Sequence, residues 1–416
     1  MCTNTLELGI DIGAVKSIVQ IGPPPTVASL RQRLGRSGRR QGEAAILRGI
    51  CIEAAPSRIS AQDDMHEDTF ELTAMVQLLL DNWFEPPRAT GLHLSTLVQQ
   101  ILSVIAQGNG ATAGGLYSLL CGPKAPFCNV SKSDFLDLLK GLGEKGLLMQ
   151  DSGSELLHGR VGQSLVNHYS FYAAFCELEE FRVVAGSTTL GTLPLTTSLK
   201  IKSCIIFAGR YWEVQSIDEV KRVICVVLSP GGTPPQFNPT KGMVHSRVRH
   251  QMRTLYESNE PPVFLDAKAL EFLERGREVY ARRDFRRRVL VRLSGGQAMM
   301  YTWMGDGANR VIEELLTKQG IDVKNYGLFL YLRGPVKTLK NIDSGLKAAA
   351  SDIVNKLARG PEGYSIVVPE LLADLGNLTR EKWDWTLTRS LLEKTFAANN
   401  LDIEEACEWI LKTPIE

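Results

Sequence analysis

Near its start the chain reads Arg31-Gln32-Arg33-Leu34-Gly35-Arg36-Ser37-Gly38-Arg39-Arg40, which places five arginines within ten residues. A run of arginines alone is typical of a solvated helix end. The two glycines between them favour another interpretation, because glycine lets the backbone approach a ligand closely. Planar guanidinium groups also fit phosphate oxygens in pairs. The stretch therefore predicts a phosphate-binding segment.

The residues before and within this stretch predict one strand, followed by the helix that carries the arginines. Ser17–Ile21 is short and β-branched and is bounded by Gly22 and three prolines, which is typical of a strand. Thr26 suits the N-cap of a helix over 26–40, whose apolar stripe is Val27, Leu30 and Leu34. A buried parallel strand normally lies beside others. We therefore expect this segment to be the end of an α/β domain whose earlier strands are not in this sequence.

Two segments in this region resemble conserved helicase motifs. Thr3-Asn4-Thr5-Leu6-Glu7-Leu8-Gly9-Ile10-Asp11 resembles motif V of superfamily 2 helicases, and Gln32 to Arg39 resembles motif VI, QRxGRxGR. The two occur in the usual order, at a short separation and with a strand between them. The amino-acid sequences of the two motifs are most similar to those of the Lhr (large helicase-related) family. The resemblance implies that residues 1–88 are the C-terminal part of a second RecA-like helicase lobe.

The resemblance to motif VI implies catalytic roles. Arg36 and Arg39 match the arginine fingers that reach the γ-phosphate of ATP and stabilise the charge that develops in phosphoryl transfer. Gln32 would lie near the nucleotide and couple lobe closure to it. Lhr sequences more often carry histidine where Arg39 stands, so either Arg39 or Arg40 could be the second finger.

The resemblance to motif V implies binding roles for three further residues. Gly9 and Asp11 would lie at the lobe interface, near the ribose of the nucleotide. Thr3 would contact a nucleic-acid phosphate. By the same resemblance, ATP and Mg²⁺ are the cofactors of the complete motor.

The other half of a nucleotide site is missing from the sequence. No Gly-Lys dipeptide occurs, so a P-loop of the usual form is not possible. Asp218-Glu219-Val220-Lys221 resembles a DExx string, but it lies between two strand patterns and is predicted to be a hairpin turn. His66-Glu67-Asp68 is predicted to be loop. We expect the first RecA-like lobe to be supplied in cis or in trans, and this chain to be inactive alone.

Residues 89–165 predict three helices followed by a hairpin, the order of a winged-helix domain. Leu94–Gln107 is amphipathic, Ala113–Leu120 is short, and Ser131 suits the N-cap of the third helix. Strand patterns then flank Asp151-Ser152-Gly153. The third helix mixes lysines with acids, so a packing module without groove contact is the alternative to base readout.

Residues 166–240 predict a small β-rich, barrel-like domain. Short β-rich segments at 181–184, 200–207, 211–214 and 223–228 are separated by glycines or Asp218. Gly209-Arg210-Tyr211-Trp212 here is again similar to Lhr sequences. Arg210 and Trp212 are candidate nucleic-acid contacts, because an aromatic ring beside arginine can stack on an unpaired base. The alternative for Trp212 is core packing.

Residues 241–416 predict an α+β domain with a basic segment. Met243–Arg253 is interpreted as a basic helix start, and seven arginines lie between Arg275 and Arg288. Arg286 and Arg287 are the candidate phosphate contacts, giving affinity that depends on salt but not on sequence. A solvated helix face is the equal alternative.

Composition excludes several classes of protein. The 416 residues are 44% hydrophobic and 22% charged, with a net charge of +1, so the chain is not a polycation as a whole. No run of 18 apolar residues and no signal peptide occurs, so we predict no membrane contact and a cytoplasmic location. The eight cysteines and six histidines lack ligand spacing, so a metal or thiol enzyme is not supported.

The sequence thus predicts a multidomain α/β and α+β protein that resembles the C-terminal portion of an Lhr-like ATP-dependent DNA helicase. The resemblance implies that single-stranded DNA, duplex or RNA–DNA hybrid is the partner, and that the complete enzyme acts in DNA repair. The alternative is a non-catalytic nucleic-acid-binding protein, or one half of a split helicase that supplies arginine fingers in trans.

Overall fold

The computed structural model describes residues 15–38, 42–53, 65–88, 91–174, 180–194, 204–207, 210–218, 221–230, 243–293, 295–373, 375 and 378–415. The chain forms two compact units. The first unit is Met1–Ala89, Lys241–Asp374 and Ala397–Glu416, and the second is Thr90–Thr240 with Leu375–Phe396.

The helices and strands of the described residues make a mixed α/β protein with several separate sheets. The helices are α1 Val27–Leu34, α2 Glu67–Leu80, α3 Leu94–Gly108, α4 Ala113–Cys121, α5 Lys132–Glu144, α6 Arg160–Val166, α7 Ser246–Glu257, α8 Ala267–Arg282, α9 Asp306–Lys318, α10 Val336–Lys340, α11 Ile342–Leu357, α12 Pro361–Leu372, α13 Arg389–Asn400 and α14 Ile403–Lys412. The strands are β1 Ile18–Ile21, β2 Leu47–Ile50, β3 Ala111–Thr112, β4 Leu148–Gln150, β5 Glu155–His158, β6 Glu180–Ala185, β7 Thr188–Pro194, β8 Cys204–Phe207, β9 Arg210–Asp218, β10 Val223–Leu228, β11 Leu290–Leu293, β12 Gln297–Met300, β13 Asp322–Asn325 and β14 Leu330–Arg333. No helix among these is long and apolar enough to cross a membrane.

The first unit begins with a parallel strand pair and the helix that follows it. β1 pairs with β2 in register from Ile18 opposite Leu47 to Ile21 opposite Ile50, so the predicted strand is confirmed. The predicted helix is also present but shorter, because α1 ends at Leu34 instead of continuing to Arg40. The amide of Gly35 bonds back to Arg31, and the next two amides close a tight turn.

In the first unit an apolar core joins segments that lie on either side of residues 89–241 in the sequence. The ring of Phe70 on α2 stacks on Tyr256 of α7, with centroids 3.6 Å apart. Gly276 of α8 lies directly over Phe70, where a Cβ would come within 2.5 Å of the ring. Segments before residue 89 and after residue 241 therefore fold against each other. A four-stranded antiparallel sheet in the order β11-β12-β14-β13 completes the unit.

The second unit contains the predicted three helices and hairpin. Helices α3, α4 and α5 pack on a sheet in the order β3-β5-β4, and Ser131 Oγ accepts the Asp134 amide at 3.1 Å to cap α5. The segment 375–396 returns to this core. Its Trp383 donates from Nε1 to Gln99 Oε1 at 3.1 Å and from its amide to Ser95 Oγ at 2.9 Å. From Asp384 onward the tail is helical in three separate pieces: a single 3-10 turn at Asp384–Thr386, then α13 and α14.

The β-rich segment forms a five-stranded sheet in the order β7-β6-β10-β9-β8. Among the described strands, β7 and β8 do not pair, so the expected barrel is not closed. These edge strands approach through a side chain instead of backbone bonds, since a Cβ on Gly191 would lie 2.9 Å from the Phe207 ring. Strand β7 was not predicted, because Gly191 within it and Pro194 at its end are residues that strands disfavour.

Candidate functional site

The helix that carries the motif VI-like sequence is anchored at its N-terminus. Thr26 Oγ1 accepts the Ser29 amide at 2.9 Å. The carboxylate of Glu85 accepts the amides of Val27 and Ala28, both at 2.9 Å. A carboxylate at this end satisfies amides that have no partner inside the helix and complements the helix dipole. Glu85 lies 57 residues after Ala28, so no local sequence pattern indicated this contact.

Two arginines of the motif have structural partners. Arg33 Nη1 donates to Gln20 Oε1 at 2.5 Å, and the buried Gln20 in turn donates from Nε2 to the Gly22 carbonyl at 2.9 Å. The Arg31 guanidinium lies over the ring of Phe84, 5.1 Å from its centroid. Arg33 therefore ties α1 to strand β1, while Arg31 packs on the surface of the same unit.

Arg36 lies in the turn that follows α1. Its amide donates to the Arg33 carbonyl at 3.0 Å, and the next amide, of Ser37, donates to Leu34 at 2.9 Å. Ser37 is buried, and its Oγ donates to the Leu34 carbonyl at 3.0 Å and accepts the Ile46 amide at 3.2 Å. The backbone on both sides of Arg36 is thus fixed, while its side chain is half-buried.

The structure describes only some of the other residues predicted from motifs V and VI. Gln32 is exposed on the last turn of α1, one helical turn before Arg36. Thr3, Gly9, Asp11, Arg39 and Arg40 lie outside the described residues. The structure therefore brings Gln32 and Arg36 into one short segment of the predicted nucleotide site.

Gly38 ends this turn in a conformation that suits only glycine. Its φ is +64°, and a Cβ would lie 2.5 Å from the amide nitrogen of Ala45. We expect Gly38→Ala to lower the free energy of unfolding by about 2–4 kcal/mol, because left-handed strain and overpacking add. Gly42→Ala is the matched control, since Gly42 has a φ of +85° but open space around its Cβ position. It should cost only about 1 kcal/mol. Equal losses in urea unfolding would contradict the steric argument.

A buried cluster of charged side chains lies elsewhere in the first unit, and no sequence pattern predicted it. Arg249 on α7 is only 2% exposed, although the segment 243–253 was interpreted simply as a basic helix start. Its Nη1 lies 3.0 Å from Glu71 Oε2 and 3.3 Å from Glu67 Oε1, and its Nη2 lies 3.8 Å from Asp306 Oδ1. The prediction of a loop at His66-Glu67-Asp68 was wrong, because Glu67 begins α2.

Charge balance explains how Arg249 is tolerated inside the protein. Burial alone would lower the pKa of its guanidinium, but the carboxylates of Glu71, Glu67 and Asp306 outweigh burial and raise the pKa. Arg249 is therefore charged at every accessible pH. A Cβ on Gly327 would come within 2.7 Å of Nη2, so this glycine leaves the room that the side chain occupies. The cluster links α2, α7 and the first turn of α9.

The arginine-rich segment 275–288 divides into structural and exposed residues. Arg275 pairs with Glu271, and Arg277 donates to the carbonyls of Leu255 and Glu260 at 2.9 and 3.0 Å. Helix α8 then ends at Arg282, so the predicted stripe is not one helix face. The exposed arginines at its end are Arg286, Arg287 and Arg288.

Residues 283–288, which we name the arginine turn, hold these side chains outward. Asp284 has a φ of +53°, and its carbonyl accepts the amides of Arg287 and Arg288 at 3.0 and 2.9 Å. Phe285 is buried with its ring 4.2 Å from that of Tyr301. The buried ring anchors the turn, so the arginines after it project into solvent.

The second unit carries the remaining predicted contacts. Arg210 is exposed at the start of β9. Trp212 is only 8% exposed, and its Nε1 donates to the Phe207 carbonyl at 3.0 Å inside the sheet core. The base-stacking role predicted for Trp212 does not fit this position. Its alternation with buried Val214 was the signal for core packing. Across the described part of the chain, no cluster of side chains could hold a metal ion.

Sequence comparisons identify the class of protein to which this site corresponds. A family model described as the helicase conserved C-terminal domain matches residues 1–41, which include the α1 segment and Arg36. This is the class expected from the motif VI-like turn.

Lhr helicases are among the individual proteins to which the chain is similar. The chain is 32% identical over 144 residues to the Lhr helicase/probable uracil glycosylase of Mycolicibacterium smegmatis, covering 34% of this chain and 9% of that protein. It is 25% identical over 252 residues to the Lhr helicase/uracil glycosylase of Escherichia coli, covering 56% of this chain and 15% of that protein. These matches confirm the resemblance: the chain is similar to the C-terminal part of an Lhr-like superfamily 2 helicase. It spans only 9% and 15% of the lengths of these two relatives.

Among solved structures, the crystal structure of the DUF1998 helicase MrfA bound to DNA overlaps 84% of this chain and 47% of its own chain. The sequence identity is 15% and the TM-score is 0.29. This superposition is too loose to support an argument about site geometry.

Proposed function

We propose that the chain is the C-terminal portion of an ATP-dependent Lhr-like DNA helicase or translocase. It would supply motif V and VI residues for ATP hydrolysis and further domains that grip and split duplex or RNA–DNA hybrid. The observation that carries this proposal is the anchored turn after α1, in which Arg36 follows a helix fixed at both ends. The similarity to Lhr helicases supports it.

The chemistry proposed for Arg36 is stabilisation of charge on the transferred phosphoryl group. A fixed guanidinium aimed at developing negative charge lowers the barrier without a reorganisation cost. The contacts of Glu85, Gln20 and Ser37 hold the backbone of α1 and its turn, so positioning is achieved before ATP binds. ATP and Mg²⁺ would be held mainly by the first RecA-like lobe. Gln32 would sense the nucleotide from the exposed last turn of α1.

The remaining motif roles rest on resemblance alone. Gly9 and Asp11 are proposed to lie at the lobe interface, and Thr3 to contact a nucleic-acid phosphate. Either Arg39 or Arg40 is proposed as the second arginine finger.

The proposed domains follow the sequence-based boundaries. Residues 1–88 are assigned to the second RecA-like lobe, 89–165 to a winged helix, 166–240 to a small β-rich domain and 241–416 to an α+β domain. Three helices followed by a hairpin at 94–158 support the winged-helix assignment. The core shared by α2 and α7 supports a close association of the lobe with the last domain.

Nucleic acid is the proposed partner, and exposed arginines are the proposed contacts. Arg286 and Arg287 on the arginine turn, and Arg210 on β9, are exposed. Such contacts give affinity that falls steeply with salt and is indifferent to base sequence. A role in DNA repair follows from the Lhr resemblance, and a cytoplasmic location is part of the same proposal.

The experiment that tests the function compares ATP turnover in two preparations. The purified chain alone should not hydrolyse ATP with or without single-stranded DNA, since its sequence has no Gly-Lys dipeptide. The same chain joined to a first RecA-like lobe from an Lhr helicase should show DNA-stimulated turnover. Turnover by the chain alone would contradict the proposal that the P-loop is supplied from elsewhere.

The missing P-loop also favours a second candidate function. The chain could act as a non-catalytic nucleic-acid-binding protein, or as one half of a split helicase that works in trans. Salt-sensitive DNA binding without turnover, even in the presence of a first lobe, would favour the non-catalytic function. Turnover that appears only when a separately expressed lobe is mixed in would favour the split enzyme.

A further inference from the structure

We propose that the exposed face of α7 continues the arginine turn as one cationic surface for the phosphates of a nucleic-acid strand, and that His250 takes up a proton when a phosphate binds there. This inference rests on the proposed function, because it specifies how the same chain holds its nucleic acid. It adds a contact surface that no motif indicated. It also makes binding sensitive to pH.

A direct hydrogen bond joins the two parts of this surface. Arg253 on α7 donates from Nη2 to the carbonyl of Arg286 at 3.1 Å. His250 lies about one turn before Arg253 on α7 and Arg247 about two turns before it, at the three-residue spacing that keeps side chains on one face. Both are exposed. The arginine turn and the α7 face are therefore adjacent within one unit.

The opposite side of α7 is fully occupied by the core. Val248 and Met252 are buried there. Arg249 is also on that side, where Glu67 and Glu71 from α2 and Asp306 from α9 surround it. These three carboxylates are thus engaged with the buried arginine on the side of α7 away from the exposed face.

Few acidic groups accompany the exposed cations. Glu257 lies 3.1 Å from Arg253 Nε and also accepts the Tyr280 hydroxyl of α8 at 2.6 Å. Asp284 lies within the arginine turn and is half-buried. Against these stand Arg247, Arg253, Arg286, Arg287 and Arg288. The excess of positive charge fits an anionic partner.

The chemistry of the face favours a phosphate backbone over an acidic protein. Its exposed neighbours on α7 include Thr254, and the half-buried Gln251 donates to Gln77 at 2.8 Å. Tight protein interfaces are centred on aromatic or apolar anchors that fill pockets. The exposed face of α7 offers polar and cationic side chains in place of such anchors, and arginine forks match phosphate oxygens.

His250 gives this surface its dependence on pH. Although part of the side chain is exposed, desolvation of the ring, and then the positive charges of Arg247 and Arg253, lower the pKa of its imidazole. His250 is therefore neutral at pH 7 in the free protein. A bound phosphate brings negative charge next to the ring and raises the pKa, so binding takes up a proton. Affinity should rise as pH falls through the interval between the two pKa values, and should be flat above it.

The test measures binding of the full chain to a fluorescent single-stranded oligonucleotide, at several salt concentrations and at pH 8 and pH 6. The wild-type affinity should increase about three- to tenfold on going to pH 6. His250→Gln should remove most of that increase, and His168→Gln, which changes another exposed histidine, should retain it. Arg247→Gln should lower the slope of log K against log salt by about 0.7, whereas exposed Arg359→Gln should leave the slope unchanged.

Three outcomes would overturn the inference, and they are distinguishable from failure of the proposed function. If His250→Gln keeps the full pH dependence, the proton is taken up elsewhere. If only Arg286→Gln and Arg287→Gln weaken binding, the surface ends at the arginine turn while the proposed function stands. If a polyglutamate peptide binds with the same dependence and the oligonucleotide does not bind at low salt, both the inference and nucleic-acid binding fail.

Discussion

Arg36→Ala is expected to lower ATP turnover of the motor assembled with a first RecA-like lobe by about 10³-fold or more. The reason is that the guanidinium acts on charge that exists mainly in the transition state, so its loss should appear in kcat and not in DNA affinity. The turn that holds it is fixed by backbone bonds on both sides. The measurement is steady-state ATP turnover with saturating single-stranded DNA, together with DNA affinity measured separately.

The matched control for this prediction is Arg31→Ala, from the same arginine-rich stretch. Arg31 lies over Phe84, and loss of that contact should cost only about 0.5–1 kcal/mol of stability. Turnover should then stay within a few-fold of the wild type. Equal losses in the two variants would mean that the stretch acts through the stability of α1 and not through a group at the phosphate. Arg36→Lys should be intermediate, because it keeps the charge but loses the planar fork.

Arg249→Met is expected to lower the free energy of unfolding of the first unit by about 3–5 kcal/mol. Removal of the guanidinium leaves the fully buried carboxylate of Glu71 without its compensating charge. The control is Arg247→Met on the same helix, whose side chain is exposed, and which should change stability by no more than about 0.5 kcal/mol. Urea unfolding monitored by tryptophan fluorescence measures both.

A second variant separates charge from packing in this cluster. Glu71→Gln combined with Arg249→Met removes the uncompensated charge, so the double variant should be more stable than Arg249→Met alone. If the double variant is no better, the loss comes from the packing of the arginine stem and not from the carboxylate. If Arg249→Met is as mild as Arg247→Met, the cluster contributes little to stability.

Local patterns predicted the parts of the fold that local chemistry determines. The N-cap at Thr26 and the apolar stripe of α1 were sufficient to predict the start of that helix. Its end was misjudged, because the buried hydroxyl of Ser37 closes the turn on Ile46 of another segment. Gln32 and Arg36 are proposed from their motif, and the motif does not indicate Glu85, which holds the helix that carries them.

Distant partners explain what the sequence did not predict. Arg249 and Glu71 are 178 residues apart, so neither predicts the other. The position of Arg249 between Val248 and Met252 did place it near the apolar side of α7, a signal that the basic composition of the segment obscured. Trp212 was misjudged for a similar reason, since its neighbour Arg210 suggested a surface while its alternation with Val214 indicated the core.

The way in which the first unit is assembled from separated segments has a consequence for biosynthesis. Within this unit Arg88 pairs with Asp402, which is 314 residues later in the chain. Glu71 on α2 pairs with Arg249, which is synthesised 178 residues after it. At a translation rate of about 5–20 residues per second, the apolar side of α2 stays exposed for roughly 10–35 s before α7 has been synthesised. A nascent chain with this surface uncovered is a substrate for chaperones that bind at the ribosome exit. Slower synthesis or chaperone depletion should therefore reduce the yield of folded protein without altering its final stability.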